Sequence, residues 1–171
     1  MRDFFRRYLA WAEFGTFADD FSHYWNIYGR FRSIWRSPVA HFSLIVVAIA
    51  VLTGRLSSWS PSAIASLPAL LGFSLGAMAI VLAFPTTKMF SILAEGGRDD
   101  SYYIDLASKF IHFILFQSIG LIYALIIPAD KCILTDMIGF WLLVYAISMG
   151  LVVAVSLFGT ARLYNHPGAQ D

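Results

Sequence analysis

The stretch ASLPALLGFSLGAMAIVLA, residues 65–83, carries small residues at alternating spacings of four and three. On a helix these positions form one ridge along a single side of an otherwise bulky apolar segment. The ridge consists of Ala65, Ala69, Gly72, Gly76, Ala79 and Ala83. Because lipid tails are as apolar as Leu, helices in a bilayer associate through close backbone contact at such residues. The stretch therefore predicts a membrane-spanning helix with a packing face.

The composition of the whole chain indicates a membrane protein. Of its 171 residues, 58% are hydrophobic and 13% are charged, about half the charged fraction of a typical soluble domain. The net charge of +1 argues against nucleic acid as a direct partner. The single cysteine, Cys132, excludes an intrachain disulfide and a zinc cluster built from cysteines.

Four stretches are long and apolar enough to cross a bilayer, which takes about 20 mostly apolar residues. They cover residues 38–56, 61–84, 105–127 and 137–159. We therefore predict an all-α membrane protein with an amphipathic, aromatic-rich helical segment over 1–36, a four-helix transmembrane bundle over 37–160 and a short tail over 161–171. Pro68 either kinks the second helix or begins it, and both alternatives fit the sequence.

Lysine and arginine are distributed unevenly along the chain. Ten of the twelve lysines and arginines lie in three regions. These are the N-terminal segment, the tail, and the loop between the second and third spans together with the first turns of the third span. The other two loops contain only Arg55 and Lys131. Cytoplasmic loops are enriched in these residues, so both termini are expected to face the cytoplasm, with Cys132 on the far side.

The N-terminal segment holds 12 of the 28 aromatic residues, which recur every three or four positions as in an amphipathic helix. We expect a break near Gly15 and the pair Asp19 and Asp20. Aromatic rings opposite arginines suit a helix in the headgroup layer, where anionic lipids attract the arginines. They also suit docking of a soluble partner or a neighbouring protomer. The residues for these roles are Arg6, Arg7, Trp11, Trp25, Arg30, Arg32, Trp35 and Arg36.

Two further spans carry lines of small residues. These are Ala40, Ser43, Val47, Ala50 and Gly54 in the first span, and Ala146, Gly150 and Ala154 in the fourth. A bundle made from one chain uses only part of this surface. We therefore expect a homo-oligomer in which the ridge of the second span joins copies. The alternative is a monomer whose ridges are all internal.

The third span differs from the other spans because it holds several ionisable residues. One side of it carries Asp105, Ser108, Lys109 and His112. Asp105 and Lys109 are four residues apart and can pair, and Lys109 can extend to water from the cytoplasmic end of the helix. This arrangement predicts an interfacial ion pair beside a hydrogen-bonded histidine. The alternative is a pore entrance or vestibule below a hydrophobic constriction.

The sequence lacks the enzyme signatures HExxH, GxSxG and CxxC, and we predict no catalytic, metal or cofactor site. His41 and His112 lie at comparable depth, which would allow them to ligate haem between helices. No second histidine pair or set of propionate-binding arginines accompanies them, so we expect His41 to be a core histidine bonded to a neighbouring span. Asp99 and Asp100 precede a helix, where carboxylates favour the helix dipole.

Three segments carry a resemblance to a known family: SPVAHFSL at 37–44, LPALLGFSLGAMAIVLAF at 67–84 and FIHFILFQSIGLIYALI at 110–126. They resemble small four-span inner-membrane proteins of bacterial anti-phage systems, of the Kiwa membrane component type. The resemblance implies an oligomeric protein of the bacterial inner membrane that senses infection or perturbs the membrane, often with a cytoplasmic partner. It transfers no functional residue.

We therefore expect a defence sensor or effector that forms a gated pore or another membrane-perturbing assembly. The alternative is a membrane anchor that recruits a soluble cytoplasmic protein through the N-terminal segment or the loop over 88–103. A haem-binding or lipid-modifying enzyme is a third, weaker interpretation.

Overall fold

A computed structural model describes residues 2–83, 98, 101–127 and 132–164, with side chains from residue 15 to residue 162 within these ranges. The described part is all-helical and contains no strand. Its α-helices are α1 (Arg2–Tyr28), α2 (Arg30–Arg36), α3 (Pro38–Leu52), α4 (Trp59–Ala83), α5 (Tyr102–Ile126) and α6 (Ile133–Tyr164). A short 3-10 turn, Leu56–Ser58, precedes α4.

Three of these helices are long and apolar enough to cross a membrane, namely α4 with its preceding turn, α5 and α6. The helices α2 and α3 meet this condition only as a pair, bent by 57°. With 15 residues, α3 alone is about 22 Å long, which is short of a hydrocarbon layer of about 30 Å. Helices long and apolar enough to span a membrane are thus confirmed, but the first predicted span differs from a straight helix over 38–56.

The helices α5 and α6 form the centre of an antiparallel bundle. Most of the contacts of α4 are with α5, while α3 packs on α6 and α1 packs on α5. We call the end where α3 and α5 begin the proximal end, and the opposite end the distal end. The predicted small-residue line of the first span is internal along α3, because Ala40, Ser43, Val47 and Ala50 are all buried, whereas Gly54 is exposed and lies beyond the end of the helix.

The ridge of α4 lies on the outside of the protomer. The buried side of α4 consists of Trp59, Ser60, Ala63, Leu67 and Ser74. All six ridge residues are exposed, and a Cβ added at Gly72 or Gly76 would meet no described residue within 4 Å. The α4 ridge is therefore not used for packing among the described helices. Pro68 lies inside this helix and does not begin it.

The N-terminal helix is continuous where a break was predicted. α1 runs through Gly15, Asp19 and Asp20, because single unfavourable residues cost a helix interior only about 1 kcal/mol each or less. The chain breaks instead after α1, where Gly29 and Arg30 have φ angles of 91° and 59°. This left-handed region favours glycine, and it turns the chain sharply into α2.

Trp59 joins α4 to α6 at the distal end. Its side chain is fully buried, and its Nε1 donates a hydrogen bond to Asp136 Oδ1 at 2.8 Å. The indole lies directly against Gly139, where an added Cβ would come within 2.5 Å of ring carbons. Glycine at position 139 therefore makes room for the tryptophan.

We expect Gly139→Ala to destabilise the bundle by about 1–3 kcal/mol, the usual cost of overpacking a core. Gly15→Ala is the matched control, since nothing lies within 4 Å of its added Cβ. The control should be neutral or stabilising by about 0.5–1 kcal/mol, because alanine favours a helix interior over glycine. Thermal unfolding in detergent measures both changes. An unaltered midpoint for Gly139→Ala would contradict the placement of Trp59.

Candidate functional site

His112 on α5 is fully buried between three helices. Its Nδ1 lies 2.8 Å from the hydroxyl oxygen of Tyr24 on α1, and its Nε2 lies 2.9 Å from that of Tyr145 on α6. A neutral imidazole has one donor and one acceptor nitrogen, so one tyrosine donates to the ring while the other accepts from it. We call this arrangement of Tyr24, His112 and Tyr145 the histidine bridge.

Aromatic rings enclose the histidine bridge. The Tyr28 ring stacks on the imidazole with a centroid distance of 3.7 Å and an interplanar angle of 10°. The centroid of the Phe116 ring lies 4.6 Å from that of the imidazole. Burial raises the pKa of Tyr24 and of Tyr28 above the ordinary value of 10.0. Both α1 hydroxyls therefore stay protonated at neutral pH and can donate hydrogen bonds.

The sequence predicts a hydrogen-bonded histidine at position 112, and the bridge confirms it. The partner on α1 was missed, because Tyr24 is separated from His112 by 88 positions and no local pattern connects them. The aromatic periodicity of residues 1–36 did indicate a helix with a buried face. At its C-terminal end, that face packs on α5.

The predicted vestibule residues divide into two pairs. Asp105 and Lys109 form the expected ion pair, with 2.6 Å between Nζ and Oδ2, and both line an open cavity of about 500 Å³ at the proximal end. Ser108 is buried and donates to the backbone carbonyl of Asp105, while His112 belongs to the bridge. Only the ion pair therefore faces the cavity.

The cavity lies between the α1–α2 junction, α5 and α6. Arg32 and Arg36 line it from α2, one helical turn apart, together with Ser33 and Gly29. Both arginines are exposed. The proximal end thus brings two arginines predicted for surface docking next to the ion pair of α5. We call the cavity between these elements the proximal cavity.

The other predicted docking residues have different positions. Arg30 donates two hydrogen bonds to Asn26 Oδ1, at 3.0 and 2.9 Å. Trp35 is exposed, whereas Trp25 is half-buried. The side chains of Arg6, Arg7 and Trp11 lie outside the described residues. So do most of the loop over 88–103, including Asp99 and Asp100, and the end of the tail.

Gln117 is a buried polar residue to which sequence reasoning gave no role. It is fully buried in α5 and accepts a hydrogen bond at 3.2 Å from the Ser74 hydroxyl of α4. Its Nε2 has no hydrogen-bond partner among the described residues. The signal in the sequence is a lone amide in an apolar stretch, which in a membrane indicates a contact between helices.

His41 does not lie in the core. It is exposed, and its Nδ1 is 2.9 Å from the carbonyl oxygen of Ser37 in its own helix turn. The predicted bond to a neighbouring span is wrong, because the small residues of α3 occupy the side that packs on α6. With His41 outside and both ring nitrogens of His112 bonded to tyrosines, these residues do not fit a haem site. No group of three or more His, Cys, Asp or Glu residues in the described ranges could hold a metal ion.

The fold and site define an all-helical protein with helices long and apolar enough to cross a membrane, and its N-terminal helix is bonded into the bundle. Comparisons with protein-family models, with curated proteins and with solved structures found no match to this chain. Its function therefore has to be argued from the histidine bridge, the proximal cavity and the outer face of α4.

We expect Tyr24→Phe to leave a buried ring nitrogen of His112 unpaired, at a cost of about 1–3 kcal/mol. Cleavage by an added protease near Gly29 should accelerate, because α1 then separates from α5 more often. Tyr123→Phe is the control, since it removes a hydrogen bond to the Thr135 carbonyl at the distal end. This control should lower the thermal midpoint while leaving cleavage near Gly29 unchanged. Equal cleavage of Tyr24→Phe and wild type would contradict the bridge.

Proposed function

We propose that this protein is a homo-oligomeric sensor or effector of the bacterial inner membrane that acts in defence against phage. The histidine bridge carries the proposal, because it connects a helix outside the spans to both central helices of the bundle. The distribution of lysine and arginine supports an orientation with both termini in the cytoplasm. The resemblance of residues 37–44, 67–84 and 110–126 to anti-phage membrane proteins supports the defence role.

The energetics of the bridge suit a switch. Moving α1 away from α5 breaks one hydrogen bond and leaves a polar atom unpaired in apolar surroundings, which costs about 1–3 kcal/mol. A difference of a few kcal/mol between two conformations keeps the minor one populated at a low level. A disturbance of the membrane surface that displaces α1 therefore needs to supply only a modest free energy to change the bundle.

The outer face of α4 supports assembly of several copies. Gly72 and Gly76 have open space beside their backbone, so a second α4 can approach until the two backbones touch. The spacing of the ridge repeats every 3.5 residues on average, which favours left-handed packing at a shallow angle. In a monomer this face would contact lipid tails, and its small residues would bring no close contact between helix backbones.

A gated pore or leak pathway between copies is the effector activity that we propose. The Asp105–Lys109 pair would lie at its cytoplasmic entrance, beside the proximal cavity. From Phe110 to Ile126, α5 contains no acidic residue, lysine or arginine. Conduction therefore requires the opening of an apolar constriction, which gates by wetting and dewetting.

Exposed aromatic residues on α1 and α2 support a second function as a membrane anchor. Phe17, Phe31 and Trp35 are each between 64% and 68% exposed. Such rings offer a soluble cytoplasmic partner a large apolar contact next to the arginines of α2. In this case the protein would position a partner at the membrane without conducting ions.

We expect the double variant Gly72→Leu, Gly76→Leu to dissociate the oligomer, because each added side chain separates the α4 backbones. Ala48→Leu is the matched control, since Ala48 is also exposed but lies on α3, away from the ridge. The mass of the complex in mild detergent or in nanodiscs distinguishes the two variants. If the double variant retains the size of wild type, α4 is not the interface.

In cells carrying the gene with its genomic neighbours, we expect wild type to reduce the plating of phage and Tyr24→Phe to lose this protection. Tyr123→Phe, expressed to the same level, should still protect, because it leaves the histidine bridge intact. Protection by Tyr24→Phe equal to that of wild type would refute a role for the bridge in sensing.

Ion flux separates the two functional proposals. Liposomes containing the pure protein should release a trapped ion if the protein is a pore. Silent liposomes, together with co-purification of a soluble protein encoded by a neighbouring gene, would favour the anchor.

A further inference from the structure

The described residues that line the proximal cavity carry an excess of positive charge. Arg32, Arg36 and Lys109 line it, and among its described lining residues Asp105 alone is acidic. Lys109 is already paired with Asp105. Neither arginine has a hydrogen bond or ion pair with any residue in the described ranges. Two guanidinium groups one helical turn apart are therefore available to an anion.

The depth of the cavity places it near one boundary of the hydrocarbon layer. At the distal end, Trp59 and Asp136 mark a polar level in the bundle. Val152, which lines the cavity, lies 16 residues further along α6 than Asp136, or about 24 Å. A hydrocarbon layer is about 30 Å thick, so the cavity faces the headgroup region on the side that bears the arginines.

We propose that the proximal cavity binds the phosphate group of an anionic membrane lipid, with Arg32 and Arg36 as its principal ligands. The guanidinium group forms paired, charge-assisted hydrogen bonds with phosphate oxygens. The volume of about 500 Å³ lies within the usual range for ligand sites. Apolar walls from Ile27, Met149 and Val152 suit the glycerol and upper acyl carbons of a lipid better than a fully hydrated soluble phosphate.

Asp105 adjusts the affinity of this site. Its carboxylate binds Lys109 Nζ at 2.6 Å and repels a phosphate in the same cavity. Replacing Asp105 with asparagine removes this repulsion and frees the lysine for the phosphate. The site therefore has one substitution that should weaken lipid binding and one that should strengthen it.

The lipid site does not depend on the proposed defence role or on assembly through α4. A monomeric membrane anchor with the same α1–α2 junction would present the same cavity. The experiment below therefore succeeds or fails independently of ion flux, phage plating and oligomer mass.

The test uses the full chain in nanodiscs of phosphatidylcholine, into which phosphatidylglycerol is titrated while bound lipid is counted by native mass spectrometry. We expect the double variant Arg32→Gln, Arg36→Gln to bind phosphatidylglycerol at least about tenfold more weakly, as the loss of a charge-assisted hydrogen bond implies. We expect Asp105→Asn to bind about two- to fivefold more tightly. Arg30→Gln is the control on the same helix, because Arg30 contacts Asn26 and does not line the cavity.

Four results would overturn the proposal. Equal weakening by Arg30→Gln would indicate diffuse attraction to the membrane surface, and equal binding of phosphatidylcholine would exclude recognition of net negative charge. Displacement of the lipid by soluble glycerol phosphate at similar concentration would assign the site to a soluble phosphate. If the double arginine variant fails to fold, Asp105→Asn still tests the site. Phosphatidylglycerol binding by Asp105→Asn that is unchanged or weaker than that of wild type contradicts the proposal.

Discussion

An apolar solvent offers no hydrogen-bond partner to a polar group, so such groups inside the bundle have to bond to one another. Three of the contacts between the described helices illustrate how this requirement is met. The Trp59–Asp136 bond joins α4 to α6 at the distal end, the Ser74–Gln117 bond joins α4 to α5, and the histidine bridge joins α1, α5 and α6. Each bond fixes how the helices that it connects are rotated about their axes. In lipid, contact between apolar side chains alone does not fix this rotation, because lipid tails are equally apolar.

This requirement explains why similar lines of small residues have different roles. The lines of α3 and α4 look alike in the sequence, yet the first is buried and the second is exposed. On α4, Trp59 needs a partner on α6, and Ser74 lies on the same buried side against Gln117 of α5. The ridge then faces outward. Polar groups that need a partner orient a helix more strongly than small residues that merely permit close contact.

Much of the architecture could be predicted from the sequence, because span length and composition are local properties. The Asp105–Lys109 pair was also accessible, since residues four apart on a helix are neighbours. The bridge was not, because it depends on how α1 folds back onto α5, and nothing near Tyr24 specifies a distant imidazole. The break after α1 was assigned to Gly15 when it occurs at Gly29, since both glycines permit a turn and only tertiary packing selects one.

The position of that turn gives α1 the properties of a lever. A helix of 27 residues is about 40 Å long, whereas Tyr24 lies only about 7 Å along the axis from Gly29. A rotation about the turn therefore moves the far tip of α1 roughly five times as far as it moves the backbone of Tyr24. A small force on the N-terminal end of α1 would therefore produce a shorter displacement with a larger force beside the imidazole of His112. Mechanical advantage of this kind would let a weak, delocalised disturbance act on a single buried bond.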